Sequence, residues 1–182
     1  MKLRKTNIEG LFVLEPIIFK DNRGYFNESY NQKIISRLLG DINFVQDNDS
    51  KSSYGTLRGL HFQTPPFSQA KLVRCIKGEI LDIAVDIRKK SNSYGHVETT
   101  LLSDKNNLQL FIPKGFAHGF VALSDSAIVS YKVDNYYDPN HESGILWSDK
   151  DLNINWKINP DDIIISEKDK NLRPLSEIIN PF

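Results

Sequence analysis

From Ile8 onward the chain is built of short apolar runs separated by Gly, Pro, Asn, Asp and Ser, the pattern of strands joined by turns. The clearest run covers 79–87. There Leu81, Ile83, Val85 and Ile87 alternate with Ile80, Asp82, Ala84 and Asp86, a period of two that predicts a strand. Both aspartates fall on one face, which marks that face as polar or functional. Further strands are predicted over 10–14, 25–30, 56–63, 72–76, 96–102, 108–112, 119–123 and 128–133. About ten short strands at this spacing point to an all-β jelly roll or closed sandwich. Helical spacing occurs early, over 32–39, where Ile34, Ile35, Leu38 and Leu39 share a face between a capping Asn31 and a terminating Gly40. A second short helix is expected near the C-terminus. With no repeat, low-complexity tract or linker to divide it, residues 1–182 are expected to form one domain.

Composition narrows the function. A chain of 182 residues can bury a full core without staples. Its 23 basic and 23 acidic residues cancel, so no global field favours nucleic acid or a membrane surface, and an anionic ligand must meet a local cationic site. The single cysteine, Cys75, lies in the apolar run Leu72-Val73-Arg74-Cys75-Ile76 and has no second thiol for a disulfide or metal. It reads as a buried small hydrophobe. Trp147 and Trp156 read as packing residues. The first residues lack the apolar region of a signal peptide, and no run approaches the roughly 18 apolar residues of a membrane span. A cytoplasmic protein is expected, in which Asn27-Glu28-Ser29 and Asn48-Asp49-Ser50 are not glycosylation sites.

Candidate chemistry begins with four histidines, His61, His96, His118 and His141. His61 lies in Leu57-Arg58-Gly59-Leu60-His61-Phe62-Gln63. Strict strand alternation puts Leu57, Gly59, His61 and Gln63 on one face and Arg58, Leu60 and Phe62 on the other. Alone, such a histidine is ordinarily a hydrogen-bonded structural residue. His118 follows a proline and a glycine in Pro113-Lys114-Gly115-Phe116-Ala117-His118-Gly119, and Lys77-Gly78-Glu79 reads as a tight hairpin turn. Together these features resemble the cupin barrel. Metal-binding cupins supply a His-x-His pair, a Glu and a later His. Here Gln63 stands where the second imidazole would be, leaving His61 and His118 as the strong ligands, so no metal is expected and the same pocket is free for acid–base work.

The resemblance becomes specific along the whole chain. Phe19-Lys20-Asp21-Asn22-Arg23-Gly24-Tyr25-Phe26-Asn27-Glu28, Phe44-Val45-Gln46-Asp47-Asn48, the run 58–63 and Lys71-Leu72-Val73-Arg74 follow the order seen in dTDP-4-dehydrorhamnose 3,5-epimerases. So do Asp82-Ile83-Ala84-Val85-Asp86-Ile87-Arg88, the run 112–120, Tyr131-Lys132 through Tyr136-Tyr137-Asp138-Pro139, Glu142, Trp147 and Ser166-Glu167-Lys168-Asp169. The resemblance implies a cupin-type jelly-roll barrel, a double-stranded β-helix, that needs no cofactor. It implies a dTDP-linked 4-keto-6-deoxyhexose substrate and a homodimer that exchanges N-terminal strands and builds the nucleotide site partly from the partner chain. Neither periodicity nor charge speaks to the dimer.

Inversion beside a ketone needs a base on one face, a donor for the ketone oxygen and an acid on the other face. The resemblance assigns His61 as base, Asp169 as the carboxylate that orients it, Lys71 as the donor and Tyr131 as the acid. Asp82, from the strand reading, is a second candidate to orient His61. The matching substrate-contacting positions are Arg23, Glu28, Gln46, Asn48, Arg58, His118, Tyr137, Glu142 and Lys168. Of these, Tyr137 would stack on the base and Arg23 would fork onto the diphosphate. Two other readings share these residues in part: an epimerase acting at C3 alone, and a metal-dependent or purely binding cupin.

Overall fold

The computed structural model describes residues 1–182 and contains thirteen strands and two short α-helices. In chain order these are β1 (Lys2–Lys5), β2 (Phe12–Glu15), β3 (Ile18–Asp21), β4 (Gly24–Asn27), α1 (Gln32–Leu39), β5 (Gln46–Ser53), β6 (Leu57–Gln63) and β7 (Lys71–Lys77). There follow β8 (Glu79–Asp86), β9 (Val97–Ser103), β10 (Gln109–Ile112), β11 (Phe116–Ala122), β12 (Ser126–Val133), β13 (Glu142–Gly144) and α2 (Glu167–Lys170). Two antiparallel sheets face each other. One has the order β1-β2-β10-β7-β12-β5 and the other β13-β6-β11-β8-β9, while β3 and β4 form a separate hairpin. This is a jelly-roll barrel of the cupin type.

Three apolar clusters explain the sequence pattern. Inside the barrel, Val13, Val73, Cys75, Leu110 and Val129 of one sheet meet Ile80, Ala84, Phe116 and Phe120 of the other. The outer face of the five-stranded sheet carries Leu57, Leu81, Ile83, Val85 and Val121, covered by Ile145, Trp156 and Leu175 of the C-terminal segment. That sheet is therefore apolar on both faces, which makes β8 a nearly continuous hydrophobic run interrupted only by Asp82 and Asp86. The outer face of the other sheet is covered by α1, whose Ile35 is fully buried beside Leu14, Leu72 and Phe111. Helix α1 starts where expected, with the Asn31 side chain accepting from the Lys33 and Ile34 amides, and stops at Gly40 with φ +87°. Trp156 donates to the Trp147 carbonyl at 3.0 Å, so both tryptophans are packing residues.

Some expectations are corrected. Lys77-Gly78-Glu79 is not a hairpin turn, because β7 pairs with β10 and β12 whereas β8 pairs with β11 and β9. Gly78, at φ +78°, is a corner that passes the chain from one sheet to the other. Strand β5, Gln-Asp-Asn-Asp-Ser-Lys-Ser-Ser, contains no apolar residue and is not among the predicted strands, yet it pairs with β12 along its whole length. Its inward face is Gln46, Asn48, Ser50 and Ser52, a polar row that lines a cavity instead of a core. Strict alternation also fails in β6. His61 pairs with His118 and Arg58 with Phe120, three residues on β6 against two on β11, so an extra residue turns Arg58 and His61 to the same side.

Candidate active site

The inward-facing polar residues converge at one end of the barrel. A cavity of about 480 Å³ is lined by Ser50, Arg58, His61, Lys71, His118 and Tyr131, with Ser166, Lys168 and Asp169 at its C-terminal wall. A second, of about 200 Å³, is lined by Gln46, Asn48, Gln63, Gln69, Tyr137 and Glu142. The residues common to both are His61, Lys71 and Tyr131.

His61 reaches this point because β6 and β11 approach unusually closely. Gly59 stands at φ +129°, and a Cβ there would lie 2.5 Å from the Gly119 Cα. The His61 Nε2 meets Asp169 Oδ1 at 2.8 Å, and Asp169 Oδ2 accepts the Gly59 amide at 3.2 Å. Asp169 is delivered by α2, whose Ser166 hydroxyl caps it by accepting the Asp169 amide at 3.1 Å. Burial works against the Asp169 charge, but the bonds from His61 and Gly59 outweigh it and hold the carboxyl below its ordinary value. Asp169 thus occupies Nε2, leaving Nδ1 as the ring nitrogen for another partner.

Lys71 and Tyr131 come from the opposite sheet, on the adjacent strands β7 and β12. Burial pushes the Lys71 ammonium down to about 8, and the negative charges of Asp82 and Glu142 limit the fall. Its Nζ lies 3.5 Å from the His61 carbonyl. Burial likewise raises the Tyr131 phenol, against the pull of Arg58, so the hydroxyl keeps its proton at neutral pH. Asp82 does not reach His61, because β11 lies between β8 and β6. It binds His118 instead, with both carboxylate oxygens 3.0 Å from Nε2.

Around this centre the rim is cross-linked. Glu142 accepts from Lys168 at 2.6 Å and from the Tyr137 hydroxyl at 2.8 Å. Although burial disfavours its charge, these partners hold its carboxyl below the usual range. Gln46 donates to Asn48 at 2.9 Å and accepts the Tyr137 amide at 3.2 Å. Arg58 donates to Ser52 at 3.2 Å. Gln63 spends its amide on backbone, donating to the Phe67 and Tyr136 carbonyls and accepting from Asp138, so it is not presented to the cavity as a ligand. No group of three or more His, Cys, Asp or Glu side chains is placed to share an ion.

Two predicted contacts are not brought here. Arg23 and Glu28 sit on and beside the β3–β4 hairpin, which leaves the barrel. Arg23 is exposed and pairs with Asp21 at 2.6 Å, and Glu28 accepts from Asn31 at 3.0 Å. Ser50 and Ser166, which sequence reasoning did not assign to the cavity, line it with no stronger sequence signal than the polar row of β5 and the cap before α2.

The family model for dTDP-4-dehydrorhamnose 3,5-epimerase matches residues 5–177. The chain is 51% identical over 174 residues to a dTDP-4-dehydrorhamnose 3,5-epimerase of Methanothermobacter thermautotrophicus, covering 95% of this chain and 94% of the relative. It is 49% identical over 180 residues to the enzyme of the same description from Escherichia coli, with 98% and 97% coverage. In structure it resembles the dTDP-6-deoxy-D-glucose-3,5-epimerase of Legionella pneumophila in complex with dTDP-4-keto-L-rhamnose. The TM-score is 0.94 at 43% identity, over 97% of this chain and 94% of that one.

Proposed function

The chain belongs to the dTDP-4-dehydrorhamnose 3,5-epimerase family, and from that premise we infer that it inverts C3 and C5 of a dTDP-4-keto-6-deoxyglucose-type sugar nucleotide, giving dTDP-4-keto-L-rhamnose. One observation supports the assignment of roles above all: His61, held by Asp169, lies on one sheet, while Lys71 and Tyr131 lie on the other, and these three side chains are common to both cavities. A sugar ring between the sheets has the base on one face and the phenol on the other.

His61 removes the proton from the carbon beside the ketone, and Asp169 stabilises the imidazolium that forms. Lys71 answers the charge that develops on the ketone oxygen. Tyr131 returns a proton from the far side, and the carbon is inverted. The same groups serve C3 and C5 in turn, since the ketone acidifies both neighbours. Tyr137 is the platform for the nucleobase, with Gln46, Asn48 and Glu142 around the nucleoside and Arg58, His118 and Lys168 around the sugar and phosphates. The roles of Arg23 and Glu28 require a homodimer in which a second copy's hairpin closes the site. The exposed aromatics of the hairpin, Phe19 at 61% and Phe26 at 69%, favour such a contact. No helix is long and apolar enough to cross a membrane, and we place the enzyme in the cytoplasm, as a single domain that works without a cofactor.

Proton NMR of the enzyme with dTDP-4-keto-6-deoxyglucose in heavy water tests the reading. Exchange and inversion at both C3 and C5 are expected. Exchange confined to C3 would make it a monoepimerase, and exchange at neither would remove the activity.

A further inference from the structure

Two aspartates share the inward face of β8, and their surroundings differ sharply. Asp86 is fully buried and well solvated by protein: it accepts from the Arg88 amide, Nε and Nη2 and from the hydroxyls of Ser91 and Ser93, all within 3.0 Å. Its role is structural. Asp82 is equally buried, yet its only hydrogen-bond partner is His118 Nε2. A single neutral N–H leaves most of a buried carboxylate's charge unanswered, and such an ion is costly unless a cation faces it.

The cation on the opposite sheet is Lys71, which lines the same cavity as His118, the side chain that Asp82 bonds. It shares its two cavities with Glu142 from β13, His61 and Arg58 from β6, His118 from β11, Tyr131 from β12 and Lys168 and Asp169 from α2, and Asp82 of β8 stands behind His118, bonded to its Nε2. Its charge is favoured by Asp82 and, less strongly, by Glu142, while Asp169 is engaged by His61 and the Gly59 amide. Glu142 is already paired with Lys168 at 2.6 Å. We propose that Asp82 is a positioning residue of this active site: it fixes His118 with Nε2 protonated and Nδ1 bare, and it keeps the Lys71 ammonium charged in the cavity.

The first half follows from the bond itself. An ionised Asp82 can only accept, so Nε2 must carry a proton. Burial moves His118 below its ordinary value, with Asp82 opposing the fall and Lys71 adding to it, so the ring is neutral at pH 7 and Nδ1 has no proton to give. His118 is then an acceptor toward the cavity, available to a substrate hydroxyl, and not an acid in the inversion. The second half rests on the reading of Lys71 as the oxyanion donor.

The test is Asp82→Asn in the full-length chain, a change that keeps shape and a hydrogen-bond acceptor while removing the charge. Competitive amine labelling of Lys71 against pH, read by mass spectrometry without substrate, should show half-labelling near pH 8 in the wild type. In the variant it should fall by roughly one unit or more, and the alkaline limb of kcat should move with it. Unchanged Lys71 labelling overturns the proposal. A labelling shift without a shift of the limb upholds the hold of Asp82 on Lys71 and overturns Lys71 as the oxyanion donor. Spectra of the wild type labelled with ¹⁵N-histidine keep the proposal testable even if the variant does not fold. A protonated Nε2 and bare Nδ1 on His118 at pH 7 support it, and the opposite tautomer or an imidazolium overturns it.

Discussion

Lys71 holds its charge where burial opposes it, and an interaction of that kind is most valuable when negative charge appears beside it during reaction. Replacing it with Met is expected to lower kcat by roughly a hundred- to a thousandfold, the range for deleted oxyanion donors, with KM little changed. A rise in KM alone would make Lys71 a substrate anchor. Because its ammonium is moved down to about 8, it is charged below that pH and neutral above it, so wild-type kcat should decline as pH rises through about 8. At the rim, Tyr137 is half exposed and tied through its hydroxyl to Glu142. Tyr137→Ala should weaken binding of dTDP, measured by calorimetry, by about 1 to 3 kcal/mol, the range for a lost base–aromatic stack. Unchanged affinity would leave the residue a packing role. Among these side chains, the family motifs in the sequence located Lys71, His61 and Asp169, but periodicity alone could not say which carboxylate meets which histidine. Asp82 and His118 meet because β8 and β11 are neighbours, and sheet order is not written in any local pattern.

Strand β6 shows how a local irregularity sets up the chemistry. Without its extra residue Arg58 would face the outer cluster, and without Gly59 and Gly119 the two strands could not close. Gly59→Ala places a Cβ 2.5 Å from the Gly119 Cα at a φ of +129° and should cost about 3 kcal/mol of stability. Urea unfolding monitored with enzymatic activity checks this, and a loss below about 0.5 kcal/mol, the level of an ordinary surface change, would show the close approach to be easily relaxed. Elements with a buried apolar face were legible in advance: β8, α1 with both caps, and most of β7, β10 and β12. Strand β5 was not, because its inward side faces a wet cavity and carries amides and hydroxyls. The bulge in β6 was equally hidden, since alternation assumes an unbroken period of two.

At the scale of the whole molecule, the two sheets divide the labour between a hydrophobic half, where Val73, Cys75 and Phe120 pack, and a polar half that holds the site. The jelly roll and its family were readable from the order of motifs along the chain, whereas the exposure of the β3–β4 hairpin and of Arg23 on it was not. If the hairpin seals the proposed homodimer, the wild type should sediment as a dimer, and Phe26→Asp should shift it to monomer in sedimentation velocity and lower kcat/KM with it; a monomeric wild type, or a stable and fully active dimeric variant, would overturn that interface. In the proposed reaction, facing sheets present His61 and Tyr131 to opposite sides of one carbon. Tyr131→Phe keeps the ring and the base but removes the proton that arrives from the far side, so the enolate can recapture one only from His61. In heavy water, the variant with dTDP-4-keto-6-deoxyglucose should wash deuterium into C3 or C5 with configuration retained, whereas His61→Asn should show neither exchange nor inversion. The decisive quantity is the ratio of inversion to exchange in Tyr131→Phe: a ratio near zero is the predicted result, and inversion of both centres at close to the wild-type rate would contradict the account.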